Sequence, residues 1–200
     1  MYILDMAEQN TLSHQKLVFS SKELQEQGFS YYQIAKMVKQ GTLVRLNKSY
    51  YENTGFTDDI NEFYYIHAFV PQGVICLMSA AVYYNLTTYR PAAVDVAVPP
   101  KTKLSTQPES WNITLHYFSS KRQSLGISTI EQNGNTFQIY DIEKTVVDII
   151  SNRNKVGIED TKEILTNYLA RQDKNINKLY RYAEKLSCLK ILKTYLEVLV

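Results

Sequence analysis

Cysteine, histidine and glycine are all scarce in this chain of 200 residues, and each scarcity removes a class of function. The two cysteines, Cys76 and Cys188, are far apart and form no Cys-x-x-Cys pair, so neither a zinc site nor a disulfide framework is expected. Such usage suits a reducing compartment, where each acts as a small apolar residue. His14, His67 and His116 are scattered, with no second ligand at metal-binding spacing, so no metal is expected. The seven glycines are dispersed at turns, so no phosphate-binding loop is present. Ser79, within Leu-Met-Ser-Ala-Ala, lacks the flanking glycines of a hydrolase nucleophile. Long hydrophobic runs are missing as well. The longest, Phe69 to Tyr84, is broken by Pro71, Gln72 and Gly73 and falls short of the roughly 20 residues a membrane span needs. The opening Met-Tyr-Ile-Leu-Asp-Met-Ala-Glu carries no basic segment of the kind that begins a secretory signal. A cytoplasmic protein with no membrane partner, no cofactor and no catalytic site is the expectation.

Charge of one sign is also in short supply, since the net charge is only +2. Nucleic-acid binding therefore requires that the basic residues gather on one face. They are unevenly spread. From Leu12 to Tyr51 there are six basic residues (Lys16, Lys22, Lys36, Lys39, Arg45, Lys48) against Glu23 and Glu26. The flanks are acidic, with Asp5 and Glu8 before and Glu52, Asp58 and Asp59 after. A second excess lies between Arg171 and Lys193, where Arg171, Lys174, Lys178, Arg181 and Lys185 mark either a second basic surface or a solvated helical face.

Two blocks follow from the patterning. The first ends near residue 55 and is followed by a polar stretch, Glu52 to Asp59, that reads as a linker. The second begins with a helical pattern around Ile60–Phe69, then the Pro-Gln-Gly break, then a strongly apolar helix from about Val74 to Asn85. Alternating strands are expected at Val94–Val98 and Trp111–Phe118. Two more, Ile127–Glu131 and Thr136–Tyr140, flank an Asn133-Gly134 turn that signals a hairpin. From Asp141 onward the periodicity is helical, over about 142–152, 158–170, 175–186 and 188–199. Strands in one run and helices in another argue for an α+β fold and against a doubly wound sheet.

The first block carries the most specific signal. Ser20 with Glu23 forms a capping box, and Ser30 with Gln33 forms another directly after Gly28-Phe29. Gly28 stands where the chain must adopt positive φ to leave the first helix, and Phe29 offers the turn an apolar plug. Ile34 and Val38 give the second helix a buried face and leave Tyr31, Tyr32, Gln33, Lys36, Lys39 and Gln40 outward. After Gly41, Leu43–Leu46 and Ser49–Glu52 alternate around Asn47-Lys48, a hairpin with Lys48 at its tip and Arg45 beside it. Two capped helices across a glycine turn, followed by a hairpin, are the parts of a winged helix-turn-helix. In that arrangement Tyr32, Gln33 and Lys36 are candidates to read bases and Lys22, Lys39, Arg45 and Lys48 to hold phosphates, with Tyr31 also on the DNA-facing side. The expected architecture is α+β: a winged helix-turn-helix DNA-binding domain over residues 1–55, then a larger α+β domain over 60–200 ending in a helical bundle.

The whole arrangement resembles a known family. The small N-terminal module followed by Val-Ile-Cys-Leu-Met-Ser-Ala-Ala-Val-Tyr-Tyr-Asn-Leu-Thr, then Pro-Ala-Ala-Val-Asp-Val-Ala-Val-Pro-Pro, is similar to AbiEi-type antitoxins of type IV toxin–antitoxin systems, which act in abortive phage infection. The most specific stretch is Tyr140-Asp141-Ile142-Glu143-Lys144-Thr145-Val146-Val147-Asp148, running into Arg153-Asn154-Lys155 and Gly157. The resemblance departs at Ile142, where proline is commoner; a first helical position accepts either. It implies a transcriptional autorepressor that binds an inverted-repeat operator in double-stranded DNA and counters a nucleotidyltransferase toxin. In that family the two proteins are not thought to form a stable complex.

Two other readings remain open on the residues alone. A stand-alone winged-helix regulator would use the second block to sense a ligand. A metal-dependent nuclease would use Asp95 with the Asp141-x-Glu143-Lys144 constellation, although an N-cap at Asp141 explains those residues equally well. Arg153 and Lys155 suit an anion, or simply the negative end of a helix.

Overall fold

The computed structural model describes residues 11–104 and 106–199, so the acidic opening with Asp5 and Glu8 lies outside the described residues. Among these the chain forms ten helices and two sheets, an α+β fold.

The N-terminal unit runs β1 (Val18–Ser20), α1 (Ser21–Glu26), α2 (Tyr31–Lys39), β2 (Leu43–Arg45) and β3 (Tyr50–Asn53). β3 lies at the centre of its sheet, antiparallel to β1 on one side and β2 on the other. Phe19, Leu24, Phe29, Ile34 and Leu43 are buried together beneath α1 and α2, closing a small core. Strand β1 was not anticipated, because three residues carry too little alternation to signal a strand.

The second unit contains α3 (Phe63–Phe69), β4 (Val74–Ile75), α4 (Leu77–Tyr83), β5 (Ala93–Val98), β6 (Asn112–Tyr117), α5 (Ser120–Gln123), β7 (Ile127–Gln132) and β8 (Asn135–Tyr140). Five helices follow: α6 (Ile142–Ser151), α7 (Arg153–Val156), α8 (Ile158–Ala170), α9 (Ile176–Lys185) and α10 (Leu189–Leu199). The sheet order is β6-β5-β4-β8-β7, with β5·β6 and β4·β8 parallel and the other two pairs antiparallel. Asn133 and Gly134, at φ 50° and 73°, make the expected tight turn between β7 and β8.

Strand alternation sends side chains to two cores. Val94, Val96 and Val98 of β5, with Phe137 and Ile139 of β8, join Tyr64, Ile66 and Phe69 of α3. Ala97 and Tyr140 face the other way, against Val146, Ile149, Ile164 and Leu179 of the C-terminal helices. Both faces of the sheet are therefore covered.

The expected helix from Val74 is corrected at its start. Val74 and Ile75 form the central strand β4, and the chain turns into α4 through Leu77 at φ 44°. A short apolar run buried on both faces has no period that separates strand from helix. Helix α3 likewise begins at Phe63 rather than near Ile60.

The two units are packed together. Leu17 is buried in the second unit's core, and its N–H donates to Asn135 Oδ1 at 2.7 Å. Asn135 Nδ2 returns a bond to the Gln15 carbonyl at 2.8 Å. Asn47 Nδ2 donates to the Ala68 carbonyl at 2.9 Å, tying the β2–β3 hairpin to α3.

Candidate nucleic-acid interface

The local chemistry of α1 and α2 fixes the first group of candidate residues. At each start the serine hydroxyl accepts from the N3 amide and the N3 side chain returns to the N-cap amide. Between the helices Gly28, at φ 89°, makes the reversal, and Phe29 is buried beneath it. With 3.6 residues per turn, Tyr32, Lys36 and Lys39 fall on the side of α2 opposite the buried Ile34. Tyr31 and Tyr32 are 72% and 80% exposed, large apolar rings with no packing partner to account for them. Lys36 and Lys39 are exposed, and their side chains have no ion pair among the described residues.

Gln33 stands differently. Its Oε1 accepts from the Ser30 amide and the Ser30 hydroxyl, both at 2.8 Å, so reading adenine with both ends of the amide would break the cap. Lys22 is exposed on α1 and lies 3.6 Å from Glu26 one turn on, a weak surface pair. Lys16, counted in the basic excess, is instead bound to Glu23. Although burial alone would raise its pKa, the Lys16 ammonium and the Ser20 amide hold the Glu23 carboxyl below its usual value.

Arg45 and Lys48 sit at the hairpin. Arg45 Nε donates to the Asn47 carbonyl at 3.0 Å, and Asn47 Oδ1 accepts from the Ser49 and Tyr50 amides. The tip is thus held by its own side chains, with Lys48 exposed at its end. Phosphate binding from such a tip requires little ordering of the backbone.

The second basic cluster is broken up in the fold. Arg171 pairs with Asp173 at 2.7 Å and donates to the Tyr84 carbonyl at 3.0 Å, and Lys174 donates to the Arg171 carbonyl. Lys178 reaches Asp141 at 3.2 Å and Glu143 at 3.0 Å. Arg181 lies over the Tyr182 ring, and Lys185 stands apart at the end of α9. These five do not form one free surface. Arg171, Lys174 and Lys178 are tied to neighbours in the fold, a fact that residue counting along the sequence does not reveal.

The acidic constellation is also accounted for internally. Asp141 caps α6 by accepting from the Lys144 amide at 2.9 Å. Glu143 accepts from the Tyr168 hydroxyl and the Asn175 amide, each at 3.2 Å. Lys144 is fully buried against Asp148, and Asp95 is bound to His116 Nε2 at 2.8 Å. Among the described residues no group of three His, Cys, Asp or Glu gathers at metal-binding distance. No helix among the described residues is long and apolar enough to cross a membrane.

No protein-family model matches the sequence, and no curated protein matches it. In fold the chain is similar to the crystal structure of the RV2827C protein from Mycobacterium tuberculosis. That likeness has a TM-score of 0.51 and covers 88% of this chain and 72% of that one, at 14% sequence identity. So low an identity extends the likeness to the fold alone.

Proposed function

We propose that this chain binds double-stranded DNA through a winged helix-turn-helix, with α2 in the major groove and the β2–β3 hairpin against the backbone. One observation carries the reading. Tyr32, Lys36 and Lys39 stand exposed on a single face of a capped helix, with the unpaired Lys48 on a braced hairpin beside it. In a helix-turn-helix the N-terminal half of the second helix meets base edges, so Tyr31, Tyr32 and Lys36 read sequence. Lys22, Lys39, Arg45 and Lys48 neutralise phosphates, which positions the protein without specifying sequence.

The test is the salt dependence of binding to the duplex upstream of the gene. With about four phosphates neutralised, affinity falls by roughly 150-fold for a fourfold rise in salt. Binding indifferent to salt sinks the reading.

The narrower proposal is a transcriptional autorepressor and type IV antitoxin that recognises an inverted repeat and counters a nucleotidyltransferase toxin. Its support is the resemblance carried by Tyr140 to Gly157. The core of that stretch, Val146, Val147, Ile149 and Ile150, is buried, so it maintains the fold rather than touching a toxin. Co-expression with a neighbouring nucleotidyltransferase gene, scored for growth, tests it; absence of rescue removes the antitoxin role while leaving DNA binding standing. A second reading, a regulator whose second unit senses a ligand, is favoured by a cationic cleft between β6 and the C-terminal helices.

A further inference from the structure

A cleft of roughly 710 Å³ opens where the end of β6, α5, the α6–α7 junction and the α9–α10 turn meet. Four of its lining side chains are cationic, Lys121, Arg122, Lys155 and Lys185, and none is acidic. Lys121, Lys155 and Lys185 are exposed, and their side chains have no ion pair among the described residues. Like charges on one concavity repel, and a polyanion relieves that repulsion.

Arg122 is the built part of the site. Its Nε lies 3.3 Å from Asp148 Oδ1, a fully buried oxygen that has no hydrogen-bond partner, and its guanidinium lies over the Phe118 ring at 5.3 Å. The carboxylate beneath is already matched by Lys144, so Arg122 is oriented without being the only counter-charge. The remaining guanidinium nitrogens are free to meet an anion with two parallel bonds. Helix α10 begins at the cleft, where Ser187, Cys188 and Ile191 line it, and its N-terminal amides add positive potential. The C-terminal ends of α6 and α9 also border the cleft, but the Asn152, Leu186 and Ser187 amides already cap their carbonyls.

Tyr117 pairs laterally with Val98, so its ring lies on the α3 side of the sheet with its hydroxyl on the Thr102 carbonyl at 3.2 Å, and the cleft on the other side is left to the cations. A volume of this size matches small-molecule sites.

We propose that this cleft binds a small anion bearing two or more linked phosphates, held by Lys121, Arg122, Lys155 and Lys185. The site stands whether or not α2 reads DNA.

The test titrates the full chain with ATP, GTP, AMP and inorganic triphosphate in the presence of a chelator, at fixed ionic strength. Affinity and thermal midpoint are both read. A nucleoside triphosphate should raise the midpoint and bind far more tightly than AMP. Inorganic triphosphate should bind as well as ATP, because the cations meet the phosphate chain and not the base. The triple variant Lys121→Gln/Lys155→Gln/Lys185→Gln should lose the response, with an unliganded midpoint at or above that of the parent. Its duplex-DNA affinity should stay within about twofold, because none of the three lies on the N-terminal unit. No response to ATP, GTP or inorganic triphosphate at millimolar concentration overturns the proposal. So does a triple variant that loses nucleic-acid binding but keeps its nucleotide response. AMP binding as tightly as ATP likewise overturns it.

Discussion

Replacing Asn135 by alanine should loosen the seat of the N-terminal unit on the rest of the protein, and the size of the effect follows from its hydrogen bonds. The Asn135 side chain accepts from the Leu17 amide at 2.7 Å and donates to the Gln15 carbonyl at 2.8 Å. Leu17 is 1% exposed, so alanine strands its N–H without water, a loss of about 1–3 kcal/mol. Gln15 is exposed, so its carbonyl regains water and adds little. Against a total stability of about 5–15 kcal/mol this is a substantial fraction. Denaturant unfolding of the full chain should show a lower midpoint at unchanged slope. Asn135→Asp separates the two bonds, because it keeps an acceptor for Leu17 but turns an acceptor toward the Gln15 carbonyl; it should rescue only part of the loss. A midpoint for Asn135→Ala within about 0.5 kcal/mol of the parent, the scatter of ordinary surface changes, would refute the claim that this asparagine locks the units together.

Three further outcomes are expected. Lys144→Met leaves Asp148 buried without its closest counter-charge and should cost about 3–5 kcal/mol, while Lys144→Met/Asp148→Leu recovers most of that in the same unfolding assay; a double variant worse than the single contradicts this. The Glu23 carboxyl, held below its usual value of 4.5 by Lys16 and Ser20 against the opposing effect of burial, adds stability that is fully present above that pH and is lost as pH falls through its lower folded value. Because the Glu23 side chain remains 38% exposed the contribution is at most about 1 kcal/mol, and Glu23→Gln, which keeps the capping box, should flatten the acid limb of a thermal-midpoint profile. A fragment of residues 60–200 leaves open the seat of Leu17 and should unfold at lower denaturant than the full chain; an equal midpoint would show that the two units are energetically independent.

Much of the N-terminal unit was legible because its signals are local. A capping box needs residues three apart, and a glycine reversal needs one residue, so Ser20, Glu23, Gly28, Ser30 and Gln33 announce α1, the turn and α2 directly. The Asn133-Gly134 turn and the helices from Asp141 onward are readable for the same reason. What stayed hidden depends on distant partners. Val74 and Ile75 are a strand only because β5 and β8 flank them. Lys178 looks like a solvated cation along its helix, yet Asp141 and Glu143 hold it from more than thirty residues away. The cationic cleft draws Lys121, Lys155 and Lys185 from three separate segments, and no spacing in the sequence relates them. Only the Lys121-Arg122 pair directly after an expected strand offered any signal.

The most direct test of DNA reading by α2 is a paired titration of parent, Lys36→Ala and Lys48→Ala against the upstream duplex and a scrambled duplex at one salt concentration. Lys36 is exposed on the helix face opposite Ile34, and Lys48 is at the hairpin tip. Lys36→Ala should lose roughly 1–3 kcal/mol on the upstream duplex alone and relax preference at one base position. Lys48→Ala should weaken both duplexes by similar factors and leave their ratio nearly unchanged. Collapse of the ratio in Lys48→Ala with Lys36→Ala unaffected would make the hairpin the reader, and no binding of either duplex by the parent would contradict the account outright.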